Sequence, residues 1–131
     1  MLFRSVSKKY NALTYLDEVH GVGLYGKNGG GLSEQLGLTS EIDIIEGTLA
    51  KGFGLMGGYI TAKYNIIDVI RSFAPGFIFT TSLPPSLAAA AVASIRYVKN
   101  NYSLREALYD RANKLKKLML AKNLQIGRAH V

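Results

Sequence analysis

The sequence contains no cysteine. Disulfides and thiolate metal centres are therefore excluded, which fits a reducing compartment without requiring one. It also lacks any run of about eighteen apolar residues, the length a membrane-spanning helix needs. The longest candidate, Leu87 to Val98, is alanine-rich and broken by Ser94 and Arg96. Met1-Leu-Phe-Arg-Ser5 has no apolar stretch behind it of the kind a secretory signal carries. Histidine is scarce, with 2 in the chain, and no internal repeat is visible.

What is present is an ordinary globular composition. The chain has 131 residues, 48% of them hydrophobic, enough for one small domain with a core of its own. The net charge of +7 first points to nucleic acid. Its distribution argues otherwise. Residues 1–95 carry 7 Lys+Arg and 7 Asp+Glu, whereas residues 96–131 carry 9 and 2. The whole excess sits on one C-terminal helical stretch and reads as a solvated helix face.

Along the chain, Leu13-Thr-Tyr-Leu16 is a short apolar, β-favouring run and reads as a buried strand. It stops at Asp17-Glu18-Val19-His20, and glycines 21, 23, 26 and 29–31 follow, so the strand opens into a Gly-rich loop. Ile42-Asp-Ile-Ile45 reads as a second strand ending at Glu46-Gly47-Thr48. Gly57 to Ala62 reads as a third, with Gly57 and Gly58 as turn formers. Residues 63–73 place Ile66, Ile67, Ile70 and Phe73 at helical spacing. Phe77 to Thr81 reads as a fourth strand. Pro84-Pro85 opens a helix running to about Lys99, since proline is tolerated in the first turn. Ser103-Leu-Arg-Glu106 matches the capping-box pattern, ahead of an apolar stripe of Leu104, Leu108, Ala112, Leu115 and Met119. Tyr59 and Phe79 are expected in the core. Alternating strands and helices give an α/β class with a parallel or mixed sheet.

The two ends look foreign to the rest. Met1-Leu-Phe-Arg-Ser5 can be encoded ATG-CTC-TTC-CGA-TCT and Ile126-Gly-Arg-Ala129 can be encoded ATC-GGA-AGA-GCA. The reverse complement of the second lies inside the first. Inverted ends of this kind read as a translated sequencing adapter, so residues 1–5 and 126–131 are expected to be artefact and residues 6–125 native.

The chemistry-bearing residues gather at expected strand ends, where open α/β sheets bind ligands. Asp17-x-x-His20 has several readings. A nucleotide-hydrolysing box of the helicase type would need an upstream Gly-Lys-Ser/Thr loop, and none is present. A metal site is thinly supported by one histidine and no cysteine. The pair could also simply cap a strand. Thr48-Leu-Ala-Lys51-Gly52 adds a lysine within a run of small residues, expected to be desolvated and hence a good Schiff-base former. Thr48 offers a hydroxyl for a phosphate oxygen. Asp17 offers a carboxylate able to keep a pyridine nitrogen protonated, so that the ring draws electrons from an adjacent carbanion. Acid, histidine, threonine and lysine together are the parts of a site for pyridoxal 5'-phosphate (PLP).

Three stretches then carry a family resemblance: Leu16-Asp-Glu-Val-His-Gly-Val-Gly23, Asp43-Ile-Ile-Glu-Gly-Thr-Leu-Ala-Lys51, and Arg71-Ser-Phe-Ala-Pro-Gly-Phe-Ile-Phe-Thr-Thr-Ser-Leu-Pro-Pro85. They resemble the PLP-dependent α-oxoamine synthases over residues 10–99, and the long third stretch is the most specific. The resemblance is strongest to the branch that condenses glycine with succinyl-CoA to 5-aminolevulinate, CoA and CO2, at the head of tetrapyrrole and haem synthesis. Sister synthases, such as glycine C-acetyltransferase, share the Asp-x-x-His and Thr-x-x-Lys frame. Gly21 and Gly52 depart from the family, which often has alanine there.

The resemblance implies the fold of the aspartate-aminotransferase type (fold type I), with αβα layers and a mainly parallel sheet. It implies that residues 6–99 form the second half of the PLP-binding large domain, and that residues 100–125 lead toward a small domain. It implies catalytic roles for Lys51, His20 and Asp17. Lys51 holds the cofactor and acts as base, Asp17 pairs with the ring nitrogen, and His20 bonds the phenolic oxygen. Thr48 binds the phosphate, and Thr80 reaches the site of the neighbouring subunit in a homodimer. The location implied is bacterial cytoplasm or mitochondrial matrix. The chain alone would lack much of the substrate pocket and is expected to be inactive.

Overall fold

The computed structural model describes residues 2–124. Helix α1 (Leu2–Lys9) leads into strand β1 (Tyr15–Asp17), a loop rich in glycine, and the single-turn helix α2 (Leu32–Gln35). A 3-10 turn (Thr39–Glu41) precedes strand β2 (Ile44–Thr48), and strand β3 (Gly58–Ala62) follows. The remainder is helical: α3 (Tyr64–Phe73), α4 (Pro75–Ile78), α5 (Pro85–Asn100) and α6 (Tyr102–Ala121). The segment expected at 126–131 lies outside the described residues. Among the described residues no helix is long and apolar enough to cross a membrane.

The α/β class is the one the alternating pattern predicts. The sheet is mixed, in the order β1-β2-β3. β1 and β2 run parallel with Leu16 opposite Ile45 and Asp17 opposite Glu46. β2 and β3 run antiparallel with Gly47 opposite Tyr59 and Thr48 opposite Gly58. The start of the parallel pair is pinned by side chains. Asp43 Oδ2 accepts from both the N–H and the hydroxyl of Thr14, at 2.8 Å each, and Thr14 Oγ1 accepts from the Asp43 N–H at 2.9 Å. These bonds sit just ahead of both strands, so they fix the register before the ladder begins.

Strand alternation sorts the side chains. Leu16, Ile45, Gly47 and Tyr59 share one face; Tyr15, Asp17, Glu46 and Thr48 share the other. Tyr59 lies over Gly47, where an added Cβ would sit 2.4 Å from the tyrosine Cζ. Burial, and then the charge of Glu18, push the Tyr59 phenol above its ordinary value. The small core comprises Val22, Ile45, Leu49 and Ala91. An open cavity of about 730 Å³ lies between α1, β1 and α2, walled by residues such as Phe3, Leu13, Leu16 and Leu36.

Five expectations are corrected. The first strand is not buried: its residues run exposed, half-buried, exposed, and Leu13 ahead of it is exposed as well. Residues 77–81 do not form a strand. Pro75 takes the first turn of α4, and the Ala74 carbonyl accepts from Phe77 and Ile78 N–H at 2.9 and 3.0 Å. Backbone groups that a strand would offer to a neighbour are thus spent locally. Phe79 is accordingly exposed, at 85%, rather than in the core. The capping box is also absent. α6 begins at Tyr102 with Asn101 as its cap residue, which puts Ser103 inside the helix, and no side chain caps it. Finally, Leu104, Leu108 and Leu115 of the expected α6 stripe are exposed. The buried residue of that helix is Arg105.

Candidate cofactor site

Strand β1 ends at two adjacent acids with opposite fates. Glu18 is buried, at 4% exposure. Its carboxylate accepts from Leu32 N–H at 3.1 Å and Ser33 N–H at 2.6 Å, satisfying the free donors at the start of α2. Asp17 points to the other face and is exposed. Its Oδ1 accepts from Val19 N–H at 2.8 Å, and its Oδ2 accepts nothing among the described residues. A carboxylate with one oxygen uncommitted at a strand end can receive a cationic ring nitrogen.

Thr48 ends β2 on the same sheet face as Asp17, two residues beyond the Glu46 that Asp17 opposes. Its hydroxyl donates to the Gly57 carbonyl and accepts from Ala50 N–H, both at 3.1 Å. It must turn away from Gly57 to donate to a phosphate. Lys51 follows in the turn and is exposed, so the desolvation expected of it is not supplied among the described residues. His20 is likewise exposed and makes no hydrogen bond among the described residues.

The two turns that carry His20 and Lys51 are pressed together through their backbones. A Cβ built on Gly52 would lie 2.6 Å from the Val22 carbonyl oxygen and 3.2 Å from Gly23 Cα. Gly23 has φ +83° and its own added Cβ would be 3.2 Å from Gly52 Cα. Only glycine on both sides permits so close a crossing. At Gly21 an added Cβ would meet Glu18 Oε2 at 2.0 Å. At Gly52 the obstruction is backbone, whereas at Gly21 it is the end of the Glu18 side chain, which would have to move aside for a methyl group.

Behind the His20 turn the Gly-rich loop is held by a second buttress of polar contacts. Glu34 accepts from Gly30 N–H at 2.7 Å and from the Asn28 side chain at 2.6 Å. Burial alone raises the Glu34 carboxyl; the hydrogen bonds from Gly30 and Asn28, with the charge of Arg105, outweigh it and hold the group below its ordinary range. Tyr15, on the Asp17 face, donates to Glu46 Oε2 at 2.7 Å. That bond, followed by burial and the charges of Glu46 and Asp17, pushes the Tyr15 phenol up.

Thr80 stands apart. It is exposed beyond α4, and its hydroxyl donates to the Gly76 carbonyl at 2.7 Å. Of the expected site residues, Asp17 alone lines the 730 Å³ cavity. Sequence reasoning missed Glu18, Glu34 and Arg105. For the last, the available signal was its spacing of four from Tyr109, which puts both on one helix face. Among the described residues no cluster of His, Cys, Asp and Glu could hold a metal ion.

A family model described as aminotransferase class I and II matches residues 3–130. The chain belongs to the aminotransferase class I and II family. It is 53% identical over 121 residues to a 5-aminolevulinate synthase of Bradyrhizobium diazoefficiens, covering 92% of this chain and 30% of that protein. It is 59% identical over 112 residues to the 5-aminolevulinate synthase of Rickettsia prowazekii, covering 86% and 27%. Among solved structures it superposes on a serine palmitoyltransferase from S. paucimobilis with a bound PLP–myriocin aldimine. That match has a TM-score of 0.88 at 34% identity, covering 96% of this chain and 33% of the other. The fold is thus that of the fold type I PLP enzymes, and the chain spans about a third or less of its relatives' lengths.

Proposed function

We propose that this chain is part of a 5-aminolevulinate synthase, a PLP-dependent acyltransferase that condenses glycine with succinyl-CoA to give 5-aminolevulinate, CoA and CO2. Identities of 53% and 59% to proteins of that name support the reading. The observation that carries it is the donor set at the carboxyl ends of the parallel strands. The uncommitted oxygen of Asp17 and the hydroxyl of Thr48 share one sheet face, and the Lys51 turn lies against the His20 turn.

These residues suit PLP by chemistry. Asp17 holds the ring nitrogen as a cation, His20 donates to the ring's phenolic oxygen, and Thr48 turns its hydroxyl to the phosphate. Lys51 Nζ would be the group that holds PLP covalently, and its free amine would be the base placed to take a proton from the glycine α-carbon. PLP supplies the electron sink that makes this α-proton removable. Thr80 extends to the phosphate held by a second subunit. In this reading residues 6–99 belong to the cofactor domain and residues 100–125 lead to a further domain. The 131-residue chain alone does not turn over. The enzyme works in bacterial cytoplasm or the mitochondrial matrix.

The test is borohydride reduction of the full-length PLP-loaded enzyme followed by peptide mapping, together with turnover of glycine with succinyl-CoA and acetyl-CoA. Label on Lys51 and preference for succinyl-CoA are expected. Label on another lysine removes the site assignment; preference for acetyl-CoA moves the protein to a sister synthase.

A further inference from the structure

Arg105 is 2% exposed, the largest side chain so completely buried among the described residues. It lies on a helix whose apolar residues Leu104 and Leu108 are exposed. Among the described residues it has no salt-bridge partner, the one pair being Arg4 with Glu41. Instead its guanidinium donates to two backbone carbonyls, Val98 at 2.6 Å and Lys27 at 2.5 Å. Its charge also lies over the Tyr102 ring, 5.2 Å from the centroid. The charge of Glu34 is felt at Arg105 without an ion pair forming, and burying a cation that is not directly paired opposes stability, so its contribution is one of geometry. A planar fork of N–H groups can join two carbonyls 71 positions apart in sequence, which a single ammonium group does poorly.

Tyr109, one turn on, repeats the connection. Its hydroxyl donates to the Leu24 carbonyl at 3.0 Å and its ring meets Tyr25 at 6.0 Å between centroids. Of the three carbonyls reached from α6, two, Lys27 and Leu24, belong to the loop that begins directly after His20. That loop is closed on itself, with Gly23 N–H donating to Gly29 O at 2.7 Å. Gly29 backs onto Val98 and Arg105, where an added Cβ would be 3.1 Å from Val98 Cγ1 and 3.4 Å from Arg105 Nη1. At its other end Val22 and Gly23 press on Gly52, the neighbour of Lys51. An unbroken set of contacts therefore runs from α6 through the Gly-rich loop to the lysine turn.

We propose that Arg105, seconded by Tyr109, is a positioning residue that holds the loop behind His20 against the Lys51 turn. α6 thereby sets how well the cofactor site is assembled. The proposal rests on the reading of Lys51 as the PLP-bearing lysine.

The experiment compares full-length wild type with Arg105→Lys and Tyr109→Phe. It measures amide hydrogen exchange across residues 21–31, PLP affinity, and the pH midpoint of the visible absorbance of the PLP-loaded protein. Arg105→Lys is expected to speed exchange in the loop, weaken PLP by about tenfold and move the pH midpoint; Tyr109→Phe is expected to do the same by about threefold or less. A lowered melting temperature with unchanged loop exchange, PLP affinity and pH midpoint overturns the proposal and leaves Arg105 a purely structural residue. If Arg105→Lys does not fold, Tyr109→Phe decides alone, and wild-type loop exchange in it overturns the proposal. If borohydride labels a lysine other than Lys51, the functional reading fails. The coupling of α6 to the loop then still stands or falls on the exchange data.

Discussion

Two stretches contrast sharply in this molecule. Residues 18–34 are dominated by glycine and polar groups, yet they hold its best-buried backbone: Glu18, Gly21, Val22, Gly23, Gly29 and Ser33 are all buried. Residues 73–83 are far more apolar, yet Phe73, Phe77, Ile78, Phe79 and Leu83 are exposed. Apolar content alone does not decide what is inside. In the first stretch, carboxylates and a guanidinium satisfy backbone groups that would otherwise need water, so the chain can fold in on itself. In the second, the described residues leave the rings largely uncovered.

The largest test of that contrast is Glu18→Ala. It leaves the buried N–H of Ser33 and the part-buried N–H of Leu32 without their acceptor. The expected loss is about 3 kcal/mol of unfolding free energy, read by denaturant titration of the full-length enzyme. Glu18→Gln keeps one oxygen and should cost visibly less. Equal losses in the two variants would show that the carboxylate's charge matters more than the acceptors it provides.

Gly31→Ala probes the same stretch through its backbone. Gly31 has φ +102°, and an added Cβ would lie 2.7 Å from Glu18 Cδ. Left-handed strain and the displaced carboxylate together are expected to cost about 2 kcal/mol. A change below about 0.5 kcal/mol would mean that the loop relaxes freely and that its burial does not depend on this turn.

How much of this was legible beforehand follows from the range of each interaction. The strand cores around Leu16, Ile45 and Ile60, helix α3, and the proline-started α5 were readable because periodicity and turn chemistry are local. Asp17, Thr48 and Lys51 were readable as strand-end residues for the same reason. The anchoring of the Gly-rich loop was not, since Arg105 meets Lys27 across 78 positions and Tyr109 meets Leu24 across 85. Residues 77–81 misled because their β-favouring side chains say nothing of whether a sheet edge is available. Pro75 and the Ala74 carbonyl settle the backbone first. The exposure of Lys51 was illegible for a related reason: glycine neighbours leave a side chain open unless something else covers it.

A smaller effect should appear on acidification. Glu34 is held below its ordinary value of 4.5, so it binds a proton less readily folded than unfolded. Its contribution is therefore fully present above that value and is lost as the pH falls through the lower, folded one. Amide exchange at Asn28 and Gly30, followed from about pH 6 to about pH 3 and corrected for intrinsic rates, should show protection falling only at the acid end. Glu34→Gln should remove that dependence. A Gln variant with the wild-type acid profile would assign the effect to another carboxylate, with Asp43, whose bonds from Thr14 also hold it low, the next to vary.

The smallest effect is expected in the apolar stretch, and its smallness is what gives the contrast its meaning. Phe79 is 85% exposed, so Phe79→Ser in the 131-residue chain removes little packing and should change stability by less than about 0.5 kcal/mol. The same substitution removes an exposed ring next to Phe77 and Ile78, which together form the kind of patch that drives self-association. Light scattering of the isolated chain should therefore fall while its unfolding midpoint stays put. In the full-length enzyme the comparison sharpens. If Phe79→Ser there costs more than about 2 kcal/mol, the ring is covered by parts of the enzyme outside this chain. If it again costs nothing, residues 73–83 are a true surface, and the extension of Thr80 toward a second subunit loses its support.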